Sequence, residues 1–241
     1  MVYSMKTDKG TVRSMNQDNC FMTVFDDNAC FAVVCDGMGG PKAGDIASDI
    51  AVKVITERFV SGWSNKISLN DAKELLVESI NAANTKIYSK ACENPDYEGM
   101  GTTVVAAFCL DSMLVVANVG DSRAYMFNGS LKQITKDHSY VQELIDEGKL
   151  TEEEAENFPY KNIITRALGT HPTVQTDTFF VDLKENDICL LCSDGLFNFA
   201  SETEISDLLT NVPVNELAAE LIDTANKNGG GDNITALVFS K

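Results

Sequence analysis

The chain is 241 residues long, 44% hydrophobic and 23% charged, a composition that supports a sizeable core in one large domain or two small ones. Its 36 acidic residues against 19 basic ones leave a formal charge of −17, and such a surface repels phosphate backbones, which argues against nucleic-acid binding. No apolar run approaches the roughly 18 residues of a membrane span, and the start lacks a secretory signal's apolar stretch, so a cytoplasmic protein away from membranes is expected.

Residues 7–18 are polar and bring Gly10, Arg13, Asn16, Gln17 and Asp18 close together. Strands are predicted at 20–25 and 30–35, joined by the turn Asp26-Asp27-Asn28. The second run is apolar throughout, as in a strand buried on both faces, and it ends on Asp36 followed by Gly37-Met38-Gly39-Gly40. Ile46, Ile50, Ala51, Val54, Ile55 and Phe59 then recur at helical spacing, and so do Leu75, Leu76, Ser79, Ile80, Ala83 and Ile87. After Gly101 the pattern returns to strands at 102–110, 113–119, 123–127 and 130–134, the last two flanking the hairpin dipeptide Asn128-Gly129. This is an antiparallel meander rather than an alternation of strand and helix.

Residues 139–167 are more polar and helical, with a capping box at Thr151-Glu152-Glu153-Glu154. Strands resume at 176–181 and 188–192. Helices follow from the capping box Ser201-Glu202-Thr203-Glu204 and through Leu217 to Ala225, and a strand at 234–239 comes last. No Pro-rich linker divides the chain. One domain of antiparallel sheets flanked by helices is expected.

Most of the seven cysteines lie inside apolar runs (Cys30, Cys35, Cys109, Cys189, Cys192), as reduced, buried thiols do. Cys189-Leu190-Leu191-Cys192 has the spacing of a zinc or redox pair. Residues three apart in a strand point to opposite faces, however, and neither a second such pair nor more than two histidines is present.

Four Asp–Gly junctions are associated with strands: Asp36-Gly37, Gly120-Asp121, Asp194-Gly195 and Gly231-Asp232, with Asp18 in the polar first loop. Hard divalent cations such as Mg²⁺ or Mn²⁺ take carboxylate, carbonyl and water oxygens, and Gly37 can offer a carbonyl with no side chain in the way. A single Asp–Gly pair is more often a turn than a ligand, and spacing alone does not bring the junctions together.

Arg13-x-x-Asn16-Gln17-Asp18, Asp36-Gly37-Met38-Gly39-Gly40, Gly101-Thr102-Thr103, Gly120-Asp121-Ser122-Arg123, Thr165-Arg166-Ala167-Leu168-Gly169, Ser193-Asp194-Gly195 and Gly231-Asp232-Asn233 are seven short motifs in order along the chain. Together they resemble the metal-dependent serine/threonine protein phosphatases of the 2C (PPM) type in their compact bacterial form, and the resemblance covers essentially the whole chain. It implies an α+β fold, a four-layer α-β-β-α sandwich of two antiparallel sheets, in one phosphatase domain over 1–241 with a flap insert at 139–168.

The resemblance also implies a binuclear site. Asp36 would bridge two Mn²⁺ or Mg²⁺ ions, Asp194 and Asp232 would bind one, and the Gly37 carbonyl would bind the other. Asp18 would hold that second ion directly or through water, and Asp121 would help to hold a weaker third ion. Arg13 would grip the substrate phosphate, a task suited to a guanidinium fork, and Asn233 would support the ligands from behind. Met38 stands where animal relatives carry a histidine that acts as general acid, so a bound water or solvent must serve. Phe158-Pro159 stands where His-Pro is expected in the flap.

The expected function is Mn/Mg-dependent hydrolysis of phosphoserine and phosphothreonine on proteins, with no covalent phosphoenzyme. A bacterial serine/threonine kinase and its targets are the expected counterparts, and the chain is expected to be monomeric. The alternative is a non-catalytic pseudophosphatase that binds phosphoproteins. Loss of a metal aspartate or of Arg13 would favour it, and all are present. His138 and His171 each sit at a polar junction, where a structural role is favoured over a catalytic one.

Overall fold

The computed structural model describes residues 1–40, 43–156, 158–160 and 162–241. Two antiparallel sheets lie face to face with helices on the outside. The first runs β1 (Val2–Asp8), β11 (Ile234–Ser240), β10 (Ile188–Cys192), β7 (Arg123–Phe127), β8 (Leu131–Gln133) in spatial order. The second runs β2 (Asp18–Asp26), β3 (Ala29–Met38), β5 (Val104–Leu110), β6 (Met113–Val119), β9 (Asp177–Asp182), with the short β4 (Gly101–Thr102) pairing the end of β3.

Helices α1 (Gly44–Gly62) and α2 (Leu69–Glu93) cover the second sheet, and α6 (Glu202–Asn211) and α7 (Val214–Lys227) cover the first. Each long apolar periodicity in the sequence is thus one helix face laid on a sheet. No helix among the described residues is long and apolar enough to cross a membrane.

Three apolar layers result, and strand alternation assigns residues to them. In β3, Phe31, Val33 and Cys35 pack under the α1/α2 helices, where Phe31 stacks on Phe59 at 4.6 Å. Cys30, Ala32 and Val34 face the other sheet. In β10, Leu190 and Cys192 pack under α6 and α7 whereas Cys189 and Leu191 lie between the sheets. Cys189 and Cys192 therefore point apart, and burial pushes the Cys192 thiol up to about 12, so neither is a metal or redox pair with the other.

The strand β1 was not among the predicted elements. Its composition, Val-Tyr-Ser-Met-Lys-Thr-Asp, mixes polar and apolar residues because it is an edge strand with one hydrogen-bonded neighbour, β11. Both capping boxes form: Ser201 and Glu204 exchange bonds at the start of α6, as do Thr151 and Glu154 at α4 (Glu152–Glu156).

Between β8 and β9 the chain leaves the sandwich as a flap holding α3 (Tyr140–Asp146) and α4. Its stem closes through the bridge Ser139↔Ile164, and Leu168 is already back on the sandwich opposite Thr102. Phe158, in place of the expected histidine, packs between the rings of Tyr140 and Tyr160 at 6.3 and 5.9 Å.

Candidate metal centre

The inter-sheet layer changes from apolar to acidic at one end of the sandwich. Alternation along β3 puts Asp36 on the same face as Ala32 and Val34, and along β2 puts Asp18 with Met22. Asp18 and Asp36 are cross-strand register partners. Asp18 is therefore the first residue of a strand rather than part of the loop expected from the sequence, because its pairing with Asp36 extends β2 to that point.

Backbone bonds fix Asp36 closely. Its N–H donates to Thr103 Oγ1 at 3.0 Å, and its carbonyl accepts from the Thr103 N–H and the Thr102 hydroxyl, each at 2.8 Å. Thr103 Oγ1 in turn lies 2.6 Å from Ser122 Oγ, beside Asp121. The next residue, Gly37, must be glycine on packing grounds. A Cβ there would sit 2.1 Å from the Gly44 carbonyl and 2.5 Å from that of Gln17, both backbone atoms. The start of α1 is thus pressed against the tip of β3.

Asp18 is 8% exposed, and its Oδ2 accepts the hydroxyls of Ser193 and Thr235, both at 2.7 Å. Its Oδ1 is buried without a hydrogen-bond partner, a costly arrangement for a carboxylate unless a cation or water meets it. Asp194 opens the short helix α5 (Asp194–Phe197) immediately after β10 and Ser193, and Asn198 Nδ2 donates to its Oδ2 at 3.1 Å. Asp232 accepts from its neighbour's N–H through Oδ1 and from Arg13 Nη2 through Oδ2, at 2.8 and 2.7 Å.

Asn233 is a clamp. Its Oδ1 accepts the Gln17 N–H at 2.8 Å, and its Nδ2 donates to the carbonyls of Lys9 and Met15 at 3.0 and 2.9 Å. The loop that carries Arg13 is thereby tied to the start of β11.

The carboxylates repel one another. Burial raises Asp36 well above the ordinary range, and the charges of Asp18, Asp194, Asp121 and Asp232 add to it. Burial likewise pushes Asp18 and Asp121 up to about 7 and Asp194 to about 6, with the Asp194 charge acting on the first two and the Asp232 charge on Asp194. Among the described residues no three of these side chains close into a ready-made cage. Asp36, Asp121, Asp194 and Asp232 line a cleft of about 310 Å³ together with Arg13, Met38, Asn162 and Ile164. A larger cleft of about 590 Å³ adjoins it beneath the flap and shares Asp121, Asn162 and Asp194.

The donor set is all oxygen, of the kind that suits Mg²⁺ or Mn²⁺, and the mutual repulsion and the bare Asp18 Oδ1 both call for positive charge, so the residues fit such ions. Of the seven residues expected at the site, Arg13, Asp36, Gly37, Asp121, Asp194 and Asp232 line the one cleft. Asp18 lies behind it as the register partner of Asp36. His138 is elsewhere: buried, it accepts the Gly120 N–H at Nδ1, 3.0 Å, and faces Asp177 Oδ2 through Nε2 at 3.2 Å. The roles of Thr103, Ser193 and Thr235 went unread in the sequence. Their signal was a hydroxyl at the tip of an otherwise apolar run.

A family profile described as Protein phosphatase 2C matches residues 9–237, nearly the whole chain. The chain belongs to that protein phosphatase 2C family. The phosphatase is 43% identical to the serine/threonine phosphatase stp of Listeria welshimeri, over 98% of this chain and 94% of the relative. Its fold matches the serine/threonine phosphatase of S. agalactiae with a TM-score of 0.91 and 37% identity, covering 100% of this chain and 99% of that one. It also matches the catalytic domain of the phosphatase PstP, solved in complex with two manganese ions, with a TM-score of 0.85, 34% identity and coverage of 98% and 96%. The four-layer arrangement is that of these phosphatases.

Proposed function

We propose that this phosphatase hydrolyses phosphoserine and phosphothreonine on proteins with the help of two divalent cations, Mn²⁺ or Mg²⁺, and a weaker third. The observation that carries this reading is the register pairing of buried Asp18 with Asp36 at the acidic end of the inter-sheet layer, Asp36 lining one cleft with Asp121, Asp194 and Asp232.

Asp36, with its backbone fixed from both sides, would hold the two principal ions, with Asp194 and Asp232 helping at one and the Gly37 carbonyl and Asp18 at the other. Asp121 would help to hold the third. The chemistry such cations supply is a water acidic enough to attack phosphorus in line at neutral pH.

Arg13 lines the cleft with Nη2 on Asp232, and among the described residues its other donors have no partner and can take phosphoryl oxygens. That charge stabilises the transition state, in which negative charge is spread over those oxygens. Met38 lines the cleft and carries no transferable proton, so the leaving alkoxide takes its proton from water. Among the described residues no cysteine lines the cleft, which favours direct hydrolysis over a cysteinyl phosphoenzyme. Arg13 and all five aspartates are in place, so nothing favours a non-catalytic binder. A bacterial serine/threonine kinase and its targets are the natural counterparts.

The test is hydrolysis of a phosphothreonine peptide with Mn²⁺, with EDTA, and by Asp36→Asn and Asp194→Asn variants whose fold is checked by circular dichroism. Metal-dependent activity that collapses in both folded variants is the expected result. Wild-type protein that binds Mn²⁺ yet leaves several phosphopeptides intact would overturn the reading.

A further inference from the structure

Arg123 opens β7 two residues after Asp121, and nothing above gives it a task. Its guanidinium is committed inside the fold. Nε reaches both oxygens of Asp137 at 3.0 Å, Nη2 reaches Asp137 Oδ2 at 2.7 Å, and Nη1 donates to the Tyr125 hydroxyl at 2.9 Å. Gln133 Nε2 donates to Asp137 Oδ1 at 2.9 Å, so the carboxylate is satisfied as well.

The guanidinium carbon lies over the Phe197 ring, 3.6 Å from its centre. Phe197 ends α5, the helix that Asp194 begins. The register pair Cys192↔Arg123 joins β10 to β7 at this point. Beyond it the sheet stops, and Asp194 and Asp121 project past the strand ends where no ladder sets their distance. The stack of Phe197 on Arg123 is a side-chain link across that gap.

Arg123 also borders the 590 Å³ cleft, but it is not built to bind an anion there. Each of its three nitrogens already donates to Asp137 or Tyr125, and Asp121, Asp137, Asp194, Glu152 and Glu202, all acidic, share the lining.

We propose that Arg123 is a positioning residue for the metal centre: held flat by Asp137 and stacked on Phe197, it sets the separation of Asp121 and Asp194 and so the affinity for the weaker cation at Asp121. This inference rests on the metal-centre reading given above. A guanidinium is the group that can make a bidentate carboxylate bond and stack on a ring at once, whereas an ammonium cannot.

The test is calorimetric titration of the metal-free protein with Mn²⁺, for the wild type, Arg123→Met, Arg123→Lys and Phe197→Leu, with circular dichroism as the fold check. The expected wild-type isotherm has a tight and a weaker phase. In Arg123→Met the weaker phase loses about 10- to 100-fold in affinity, the usual cost of removing a group that orients a ligand, while the tight phase stays. The Mn²⁺ concentration for half-maximal hydrolysis rises in parallel, with kcat at saturating Mn²⁺ far less affected. Arg123→Lys does not restore the phase, and Phe197→Leu, which keeps the ion pair and removes the stack, weakens it too. Phe197→Leu decides the matter if Arg123→Met fails to fold. Isotherms that superimpose on the wild type, or a loss of both phases together, would overturn the proposal. A wild type that takes up no Mn²⁺ would instead bring down the metal-centre reading on which it stands.

Discussion

Arg13 and Asp232 are joined by a 2.7 Å contact from Nη2 to Oδ2 across 219 residues of sequence. Both side chains are partly exposed, and an ion pair of that kind contributes about 0–1 kcal/mol to stability. Its use is to aim the guanidinium. Arg13→Ala is expected to melt within a few degrees of the wild type yet lose about 100-fold in kcat/KM on a phosphothreonine peptide, the scale of one lost charge-stabilising donor. Steady-state kinetics beside a thermal melt checks this, and equal losses in activity and stability would contradict it.

Burial first, and then the charges of four neighbouring carboxylates, raise Asp36 well above its ordinary range. Asp36→Asn removes the charge on that side chain. The metal-free variant is expected to melt above metal-free wild type, and to lose the Mn²⁺-induced rise in Tm. For the wild type that rise corresponds to about 2.7 kcal/mol at Mn²⁺ a hundredfold over its dissociation constant. Melts in EDTA and in Mn²⁺ measure both, and an unchanged Mn²⁺ shift in the variant would count against Asp36 as a ligand.

His138 is held below its ordinary value, by burial first and with the Arg166 charge acting the same way, while Asp177 and Asp137 act against them. Its Nδ1 accepts the Gly120 N–H, a bond that protonation destroys. The folded imidazole therefore binds a proton less readily than the unfolded one at about 6.5. Stability is full above that value and falls as pH drops below it, because the unfolded state then takes up more protons. Asp18, Asp36, Asp121 and Asp194, all raised, act in the opposite sense over the same range. Urea unfolding from pH 7.5 to 5.5 is therefore expected to show the His138 contribution as a loss of wild-type stability relative to His138→Gln. Parallel profiles would exclude His138 as the source.

Asn233→Ala breaks three bonds and leaves the Gln17 N–H and the Lys9 and Met15 carbonyls to find other partners. The three bonds are part-buried, so water replaces some of what is lost, and a loss of about 1–3 kcal/mol in all is expected. Because the loop carries Arg13, KM for the phosphopeptide is expected to rise more than kcat falls. Denaturant unfolding and kinetics on the same preparation separate the two effects.

Local physics determined much of this protein without reference to distant residues. The apolar run ending at Asp36, the helical spacings of α1, α2 and α7, the Asn128-Gly129 hairpin and both capping boxes depend on interactions within a few residues, so they are legible in the sequence. The seven ordered motifs, read along the chain, carried the resemblance to the family. What only the tertiary structure decided is where those turns meet. The edge strand β1 is a strand because β11 lies beside it. Asp18 faces Asp36 because β2 folds back in that register, and its two hydroxyl partners come from 175 and 217 residues away. The Asn233 clamp and the stack of Arg123 on Phe197 likewise join segments far apart in the chain. No periodicity or spacing encodes such contacts, since they exist only once two sheets have packed and brought their ends to the same place.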